Sequence, residues 1–233
     1  MESYDSTLKY HINTPCGISA FLSKAPLNVA FHAGDSNKEE IKENRQRLIS
    51  PLRLENLAFL NQVHSNGILK ANSGGFLGDG DGIIIDKKGI MGLIMIADCN
   101  PILLFDTKQK ILILLHAGRK GVECGIISKA FRILRDDYKS KTSDIYAFVG
   151  ASIRECCYEV TQEVFTNNLL QKGRILKNGK IFLDLIVCIK EEFKKAKFEN
   201  FTIMPTCTCC NLEYFSYRRD KNCGRFGLFA TIV

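Results

Sequence analysis

MGLIMIADCNPILLFDTKQKILILLHAG, residues 91–118, decides the fold. Three short apolar runs follow one another, separated by ADCNP and TKQK, and they predict strands at 90–96, 102–105 and 111–115. Outward from there, similar runs predict strands at 18–22, 27–31, 58–63, 82–85, 145–149, 180–183, 201–204 and 227–232. Helices interrupt them. After His116, Val122, Ile126, Ile127, Ala130 and Leu134 recur at three- and four-residue steps, the stripe of a helix with one buried face. A second helix starts near Asp184, with Leu185, Ile189 and Phe193 apolar and Lys190, Glu191, Glu192, Lys194 and Lys195 expected to face water. Others are expected at 161–170 and 38–48. The order of elements is mixed, not strictly alternating. It predicts an α/β (mixed α+β) fold, a mixed β-sheet flanked by helices in one layered domain over residues 1–233.

Composition narrows the function classes. The chain has 233 residues, 45% of them hydrophobic, enough for a substantial core. Its first residues hold no apolar stretch of signal-peptide length, and Asp98, Asn100 and Pro101 interrupt its longest apolar region. Neither export nor membrane insertion is expected. Ten cysteines in a chain of this size without a signal read as reduced thiols of a cytoplasmic protein. The formal charge of +7 is spread over polar connections and helix faces, so no nucleic-acid partner is expected, while a positive field suits an anion such as phosphate.

The chemistry concentrates at strand ends. His64 closes AFLNQVH, Cys99 interrupts the quoted stretch, and His116 closes KILILLHAG. Two imidazoles and a thiolate brought to one sheet edge make a metal site, and three protein ligands leave a tetrahedral ion one open position, the catalytic arrangement. Each residue alone has a plainer reading: a hydrogen-bonded edge histidine, or a cysteine packed as a small hydrophobe. Asp98 beside Cys99 favours the polar task. Asp81 and Asp98 are candidates to orient a ligating imidazole or to act as acid or base, because ligating histidines usually donate their second ring nitrogen to such a group. For Asp98 a structural, backbone-bonded role is the alternative. Cys207 and Cys210 form a CxxC pair, but Cys156 with adjacent Cys157 has the wrong spacing to complete a zinc ribbon, so these thiols are expected to be structural.

Several blocks, in order, carry a resemblance: LNVAFHAGD with ENRQRL downstream, NQVHS, DGIIID, ADCNPILLFD, HAGRKG, GASIRECCYEV, FLDL, CTCCNLEYFSYRRD and GRFG. Together they resemble the YfiH/YlmD-type family, also called the laccase-domain or multicopper polyphenol oxidase family. Its members act as zinc-dependent purine nucleoside phosphorylases with adenosine deaminase activity. The resemblance implies a mixed α/β fold, a monomer, a metal triad at His64, Cys99 and His116, and purine nucleosides (adenosine, inosine, guanosine, methylthioadenosine) and phosphate as substrates. Asn28, His32 and Arg45 in the N-terminal blocks become candidates for ribose or phosphate contact, Arg45 because its planar fork matches phosphate; an exposed helix charge is its alternative. Arg218, Arg219 and Asp220, with Arg225, are expected to form an ion-paired buttress. The chain departs from the family where HisAlaGly is normally followed by TrpArg: Arg119 and Lys120 stand there, removing an aromatic surface.

Two other chemistries remain open on the residues. Copper also accepts two His and one Cys, as in a laccase-type polyphenol oxidase, although four histidines, two of them in the triad, cannot furnish a multicopper cluster. A cysteine hydrolase would use Cys99 as nucleophile and His116 as base.

Overall fold

The structure, a computed structural model, describes residues 5–50 and 56–233. The quoted stretch forms strands Met91–Ile96, Asn100–Asp106 and Ile111–Ala117, every residue of them buried. Consecutive side chains of a strand point to opposite faces, so a strand apolar throughout must be covered on both. Two stacked sheets meet that requirement.

Met91–Ile96 lies in a six-stranded sheet of order Lys9–His11, Ile18–Ser23, Phe226–Ile232, Met91–Ile96, Leu57–Asn61, Gly75–Asp79. The other two strands pair antiparallel within a second sheet of order Phe201–Ile203, Ile145–Val149, Asn100–Asp106, Ile111–Ala117, Gly82–Ile85, Ile68–Lys70. Both sheets are mixed: Leu57–Asn61 runs parallel to both its neighbours, and Ile145–Val149 runs parallel to Phe201–Ile203. Between the sheets, Leu22, Ile94, Ile96 and Leu228 meet Ile83, Leu103, Phe105, Leu112 and Leu114. On the far side of the second sheet, Leu104, Ile113 and Leu115 pack against Ile127, Ala130, Leu134, Ile189 and Phe193 of two helices. Leu93 and Met95 face outward from the first sheet toward Leu48 and Ile49 of helix Lys38–Ile49. A small third sheet joins Glu159–Val160, Lys180–Leu183 and Arg174–Lys177. The predicted mixed α/β class is observed.

Local differences from expectation have physical causes. The helix predicted after His116 is two helices, Arg119–Glu123 and Ile126–Asp136, because Gly125 between them turns left-handed at φ 75°. Residues 27–31 form no strand; the Asn28 side chain ties the segment into a loop through Ala30 N and Ala33 O. The helix predicted at 161–170 is a 3₁₀ turn, Gln162–Val164, followed by helix Asn168–Lys172, which Asn167 caps at Leu170 N. Helix Leu185–Lys195 begins as expected, with Asp184 accepting from Ile186 N and Val187 N. Glu192 on it is buried instead of solvated, bonded by Ser128 Oγ and Lys195 Nζ. No helix among the described residues is long and apolar enough to cross a membrane.

Candidate metal centre and active site

Strand ends from both sheets meet at one rim. His64 follows Leu57–Asn61, Cys99 immediately precedes Asn100–Asp106, and His116 is the next-to-last residue of Ile111–Ala117. His64 and Asp98 hold left-handed backbones, φ 59° and 92°, which non-glycine residues adopt only where the surroundings fix them. The anchors are visible. The Asp81 carboxylate accepts His64 N at 3.0 Å and Ser65 N at 2.6 Å; Asp98 accepts Thr208 Oγ1 and Arg218 N, both at 2.7 Å.

The result is convergence of three donors from distant parts of the chain. One ligand atom each from His64, Cys99 and His116 lies within 4.8 Å of the other two. Cys99 Sγ is 3.9 Å from His64 Nε2, and the imidazole centroids are 4.8 Å apart with planes at 73°. A tetrahedral ion at ordinary Zn–S and Zn–N distances holds its sulfur and nitrogen ligands about 3.5 Å apart. The triad therefore fits a divalent ion of borderline softness, and its two-nitrogen, one-sulfur set suits zinc and copper alike.

Asp81, fully buried, also takes His116 Nδ1 at 2.8 Å, which turns the other ring nitrogen toward the site. Burial would raise the Asp81 carboxyl, but hydrogen bonds from His116 and Ser65 and the His116 charge hold it below the usual range. Burial likewise resists ionisation of Cys99, yet the His116 charge and hydrogen bonds from both imidazoles bring the thiol down to about 6. Burial opposes the His116 proton too; the Cys99 charge and the Asp81 hydrogen bond carry it up to about 9. At neutral pH the metal-free pair is thus thiolate and imidazolium.

An entering ion meets a ready sulfur but must displace the His116 proton. Between the two values, zinc affinity should rise with pH by roughly tenfold per unit, and below about 6 more steeply because Cys99 is then protonated as well. Calorimetry in buffers of different ionisation enthalpy should register roughly one proton released from this pair per ion at pH 7. Zero release would mean that His116 is already neutral.

Gly118 matters for space. A Cβ there would sit 2.7 Å from Cys99 Sγ and 3.2 Å from His64 Cδ2. Gly118→Ala should therefore lower zinc affinity about tenfold or more without removing a ligand, measured by competition with a chelator. Unchanged affinity would show that the sulfur has room to move.

The triad opens onto a cavity of about 600 Å³ whose wall includes His32, Gln62, Met95, Arg119, Ile153, Tyr158, Tyr217, Arg218, Lys221 and Arg225. Four of these are cationic, against one lining carboxylate, Asp98, whose oxygens are already bonded. A family profile described as multi-copper polyphenol oxidoreductase laccase matches residues 15–233. A Clostridium acetobutylicum protein named purine nucleoside phosphorylase is 34% identical over 92% of this chain and 91% of its own. The Shigella flexneri purine nucleoside phosphorylase YfiH is 27% identical over 89% of this chain and 86% of its own. The chain belongs to the YfiH laccase-like family. The fold agrees: the YlmD structure from Geobacillus stearothermophilus superposes with a TM-score of 0.87 at 26% identity, covering 93% of this chain and 92% of that one.

Within this YfiH-family chain the predicted contact residues separate. His32 stands on the cavity wall. Asn28 does not: it is buried, and its side chain ties Ala30, Ala33 and the backbone N of Arg225 together. Arg45 is neither an exposed helix charge nor a wall residue. It is 2% exposed, bonded to Val29 O at 2.8 Å, with its guanidinium carbon 4.3 and 4.5 Å from the ring centroids of Phe31 and Phe59. Burial lowers its pKa to about 10, still cationic at neutrality. Asp98 has both oxygens engaged, the structural of its two expected arrangements.

The expected ion-paired buttress of this YfiH-family site is built differently. Arg219 bonds the carbonyls of Thr208, Cys209 and Tyr214, Arg218 those of Cys157 and Glu159, and among the described residues no ion pair joins them to Asp220. Sequence reasoning missed Gln62, Tyr217 and Lys221. Gln62 bonds Met95 through both its amide atoms; Tyr217 lies within the SYRRD block and Lys221 directly follows it, beside the arginines that attract attention there.

Proposed function

We propose that this chain is a purine nucleoside phosphorylase whose divalent ion, zinc, is held by His64, Cys99 and His116. One observation carries the reading: three convergent ligands open onto a nucleoside-sized cavity walled by four cations and two tyrosines. The names of the Clostridium and Shigella relatives support it. Bound, the ion supplies Lewis acidity toward an oxygen or nitrogen of the substrate at its open position.

The remaining work falls to side chains. Arg119, Arg218, Lys221 and Arg225 hold the phosphate dianion, lowering the cost of bringing it beside the ribose. Tyr158, Tyr217, Met95 and Ile153 offer the apolar and aromatic surface that a purine requires. Burial, then the charges of Arg225 and Arg45, lower the His32 pKa, so His32 is neutral at pH 7 and presents a hydrogen-bond partner to a ribose hydroxyl. The new bond joins phosphate oxygen to C1′ while the glycosidic electrons leave with the base. Adenosine deamination is the proposed second activity of this site, with water replacing the 6-amino group.

Chromatography of zinc-loaded protein with adenosine, with and without phosphate, tests the reading. Adenine with ribose 1-phosphate, dependent on phosphate, is expected; inosine formed without phosphate reports the deaminase. Neither product from adenosine, inosine, guanosine or methylthioadenosine would overturn it.

A second reading has its own observation. Asp81, His116 and Cys99 are linked in series with a thiolate at neutrality, as in a cysteine hydrolase. Iodoacetamide separates the two: a zinc ligand is shielded until chelation, whereas a nucleophile reacts at once. Multicopper chemistry lacks ligands, since only His32 joins the two triad histidines on the cavity wall.

A further inference from the structure

Cys156, Cys157, Cys207 and Cys210 come together where sequence spacing gave no reason to expect it. Their four sulfurs lie within 4.8 Å of one another. Cys157 and Cys210 are 3.3 Å apart, and Cys156 is 3.7 Å from both. These separations are far from the roughly 2.0 Å of a disulfide, and all four thiols are free. They are close to the separation of about 3.8 Å that a tetrahedral ion with metal–sulfur bonds of about 2.3 Å imposes on its ligands.

We propose that these four cysteines form a second, structural metal site for a thiophilic divalent cation such as Zn²⁺, independent of the His64–Cys99–His116 centre. Adjacent cysteines suffice as one half of the site because the backbone turns at residues 155–157. The CxxC loop supplies the other half, beside the bridge that pairs Cys207 with Ser152. Loading breaks four S–H bonds, forms four metal–sulfur bonds and releases four protons, leaving a net charge of −2 with no redox change. The surroundings suit that charge. Backbone N–H groups of Arg154, Cys209 and Cys210 are directed at the Cys207 sulfur, as around metal thiolates generally. Arg154 is buried within electrostatic reach of Cys207 and Cys156, and its Nη1 has no hydrogen-bond partner.

The site joins two loops that both build the cavity. One carries Ile153 and Tyr158; the other leads to Tyr217 and Arg218. Arg218 already crosses between them, bonding Cys157 O and Glu159 O and lying 5.3 Å from the Tyr158 ring centroid. A four-sulfur clamp fixes the cavity wall without touching substrate, and four ligands leave no open position for chemistry.

Elemental analysis of the full chain, purified with reductant and equilibrated with Zn²⁺, is the test. Two ions per chain are expected in the wild type, one in Cys99→Ala, and one in Cys207→Ser/Cys210→Ser. A second readout needs no variant. Alkylation of Cys156 and Cys210 by iodoacetamide should slow about tenfold or more on zinc loading and recover with chelator, while exposed Cys16 and Cys124 serve as internal controls. Co²⁺ in Cys99→Ala should give the sulfur-to-metal absorption of a tetrahedral thiolate site. One ion in the wild type and none in Cys99→Ala overturns the proposal. So do alkylation rates at Cys156 and Cys210 indifferent to zinc, or a mass two hydrogens low from a disulfide within the quartet.

Discussion

Cys99→Ala should abolish metal binding at the triad and lower phosphorolysis by about three orders of magnitude or more, because a Lewis acid at the reacting centre contributes several kcal/mol of barrier reduction. The fold should persist. Cys99 lies at the cavity rim, outside both strands it separates, and its sulfur's polar contacts are with the triad histidines. Stability should therefore change by about 1 kcal/mol or less in metal-free protein, read from urea unfolding. Turnover above a tenth of wild type in a variant shown to lack the triad ion would sink the metal reading. The neighbouring thiols provide no rescue, since none of the other nine cysteines lines the cavity.

Asp81→Ala should damage both folding and the metal centre, and its Asn counterpart separates the two effects. The buried carboxylate accepts from His64 N, Ser65 N, Ser65 Oγ and His116 Nδ1. Alanine leaves several buried donors unmet, at about 1–3 kcal/mol each before relaxation, so a loss of ~3–5 kcal/mol is expected in urea. Asparagine keeps the shape and one acceptor oxygen and should lose much less. Both variants free the His116 ring from its anionic partner, so both should bind zinc about 10–100-fold more weakly. Wild-type affinity in Asp81→Asn would mean that packing alone orients His116.

The central strands of this protein were legible because they are apolar throughout, whereas Lys9–His11, Gly75–Asp79 and Arg174–Lys177, mixed in polarity, carry no such run and were not predicted. Gly82–Ile85, Ile145–Val149 and Lys180–Leu183 occur at the residues the pattern predicts. Helix Lys38–Ile49 occurs where a helix over 38–48 is expected, and the structure adds its cap: Asn37 accepts from Glu40 N at 2.9 Å. Strand 27–31 failed because an apolar run says nothing about a side chain such as Asn28 that competes for the backbone's hydrogen bonds. Arg45 could not be read at all. Its charge suggests a surface, and burial is made tolerable by the Val29 carbonyl, the Met95 sulfur and the rings of Phe31 and Phe59, partners the helix pattern does not show.

The sequence by itself determined the apolar runs, the small and polar residues that end them, and hence that His64, Cys99 and His116 stand at strand ends; these are local properties, set within a few residues. Which face each side chain takes, which sheet each strand joins and which ends share a rim follow from register and stacking, which depend on partners far along the chain. The same long-range assembly gathered a thiol quartet from the adjacent Cys156 and Cys157 and the distant CxxC of Cys207 and Cys210, and turned Asp98 into an anchor for the loop bearing Thr208 and Arg218. Spacing predicts a site only when its ligands share one element; here every ligand set spans several, and tertiary structure alone brings them within bonding distance.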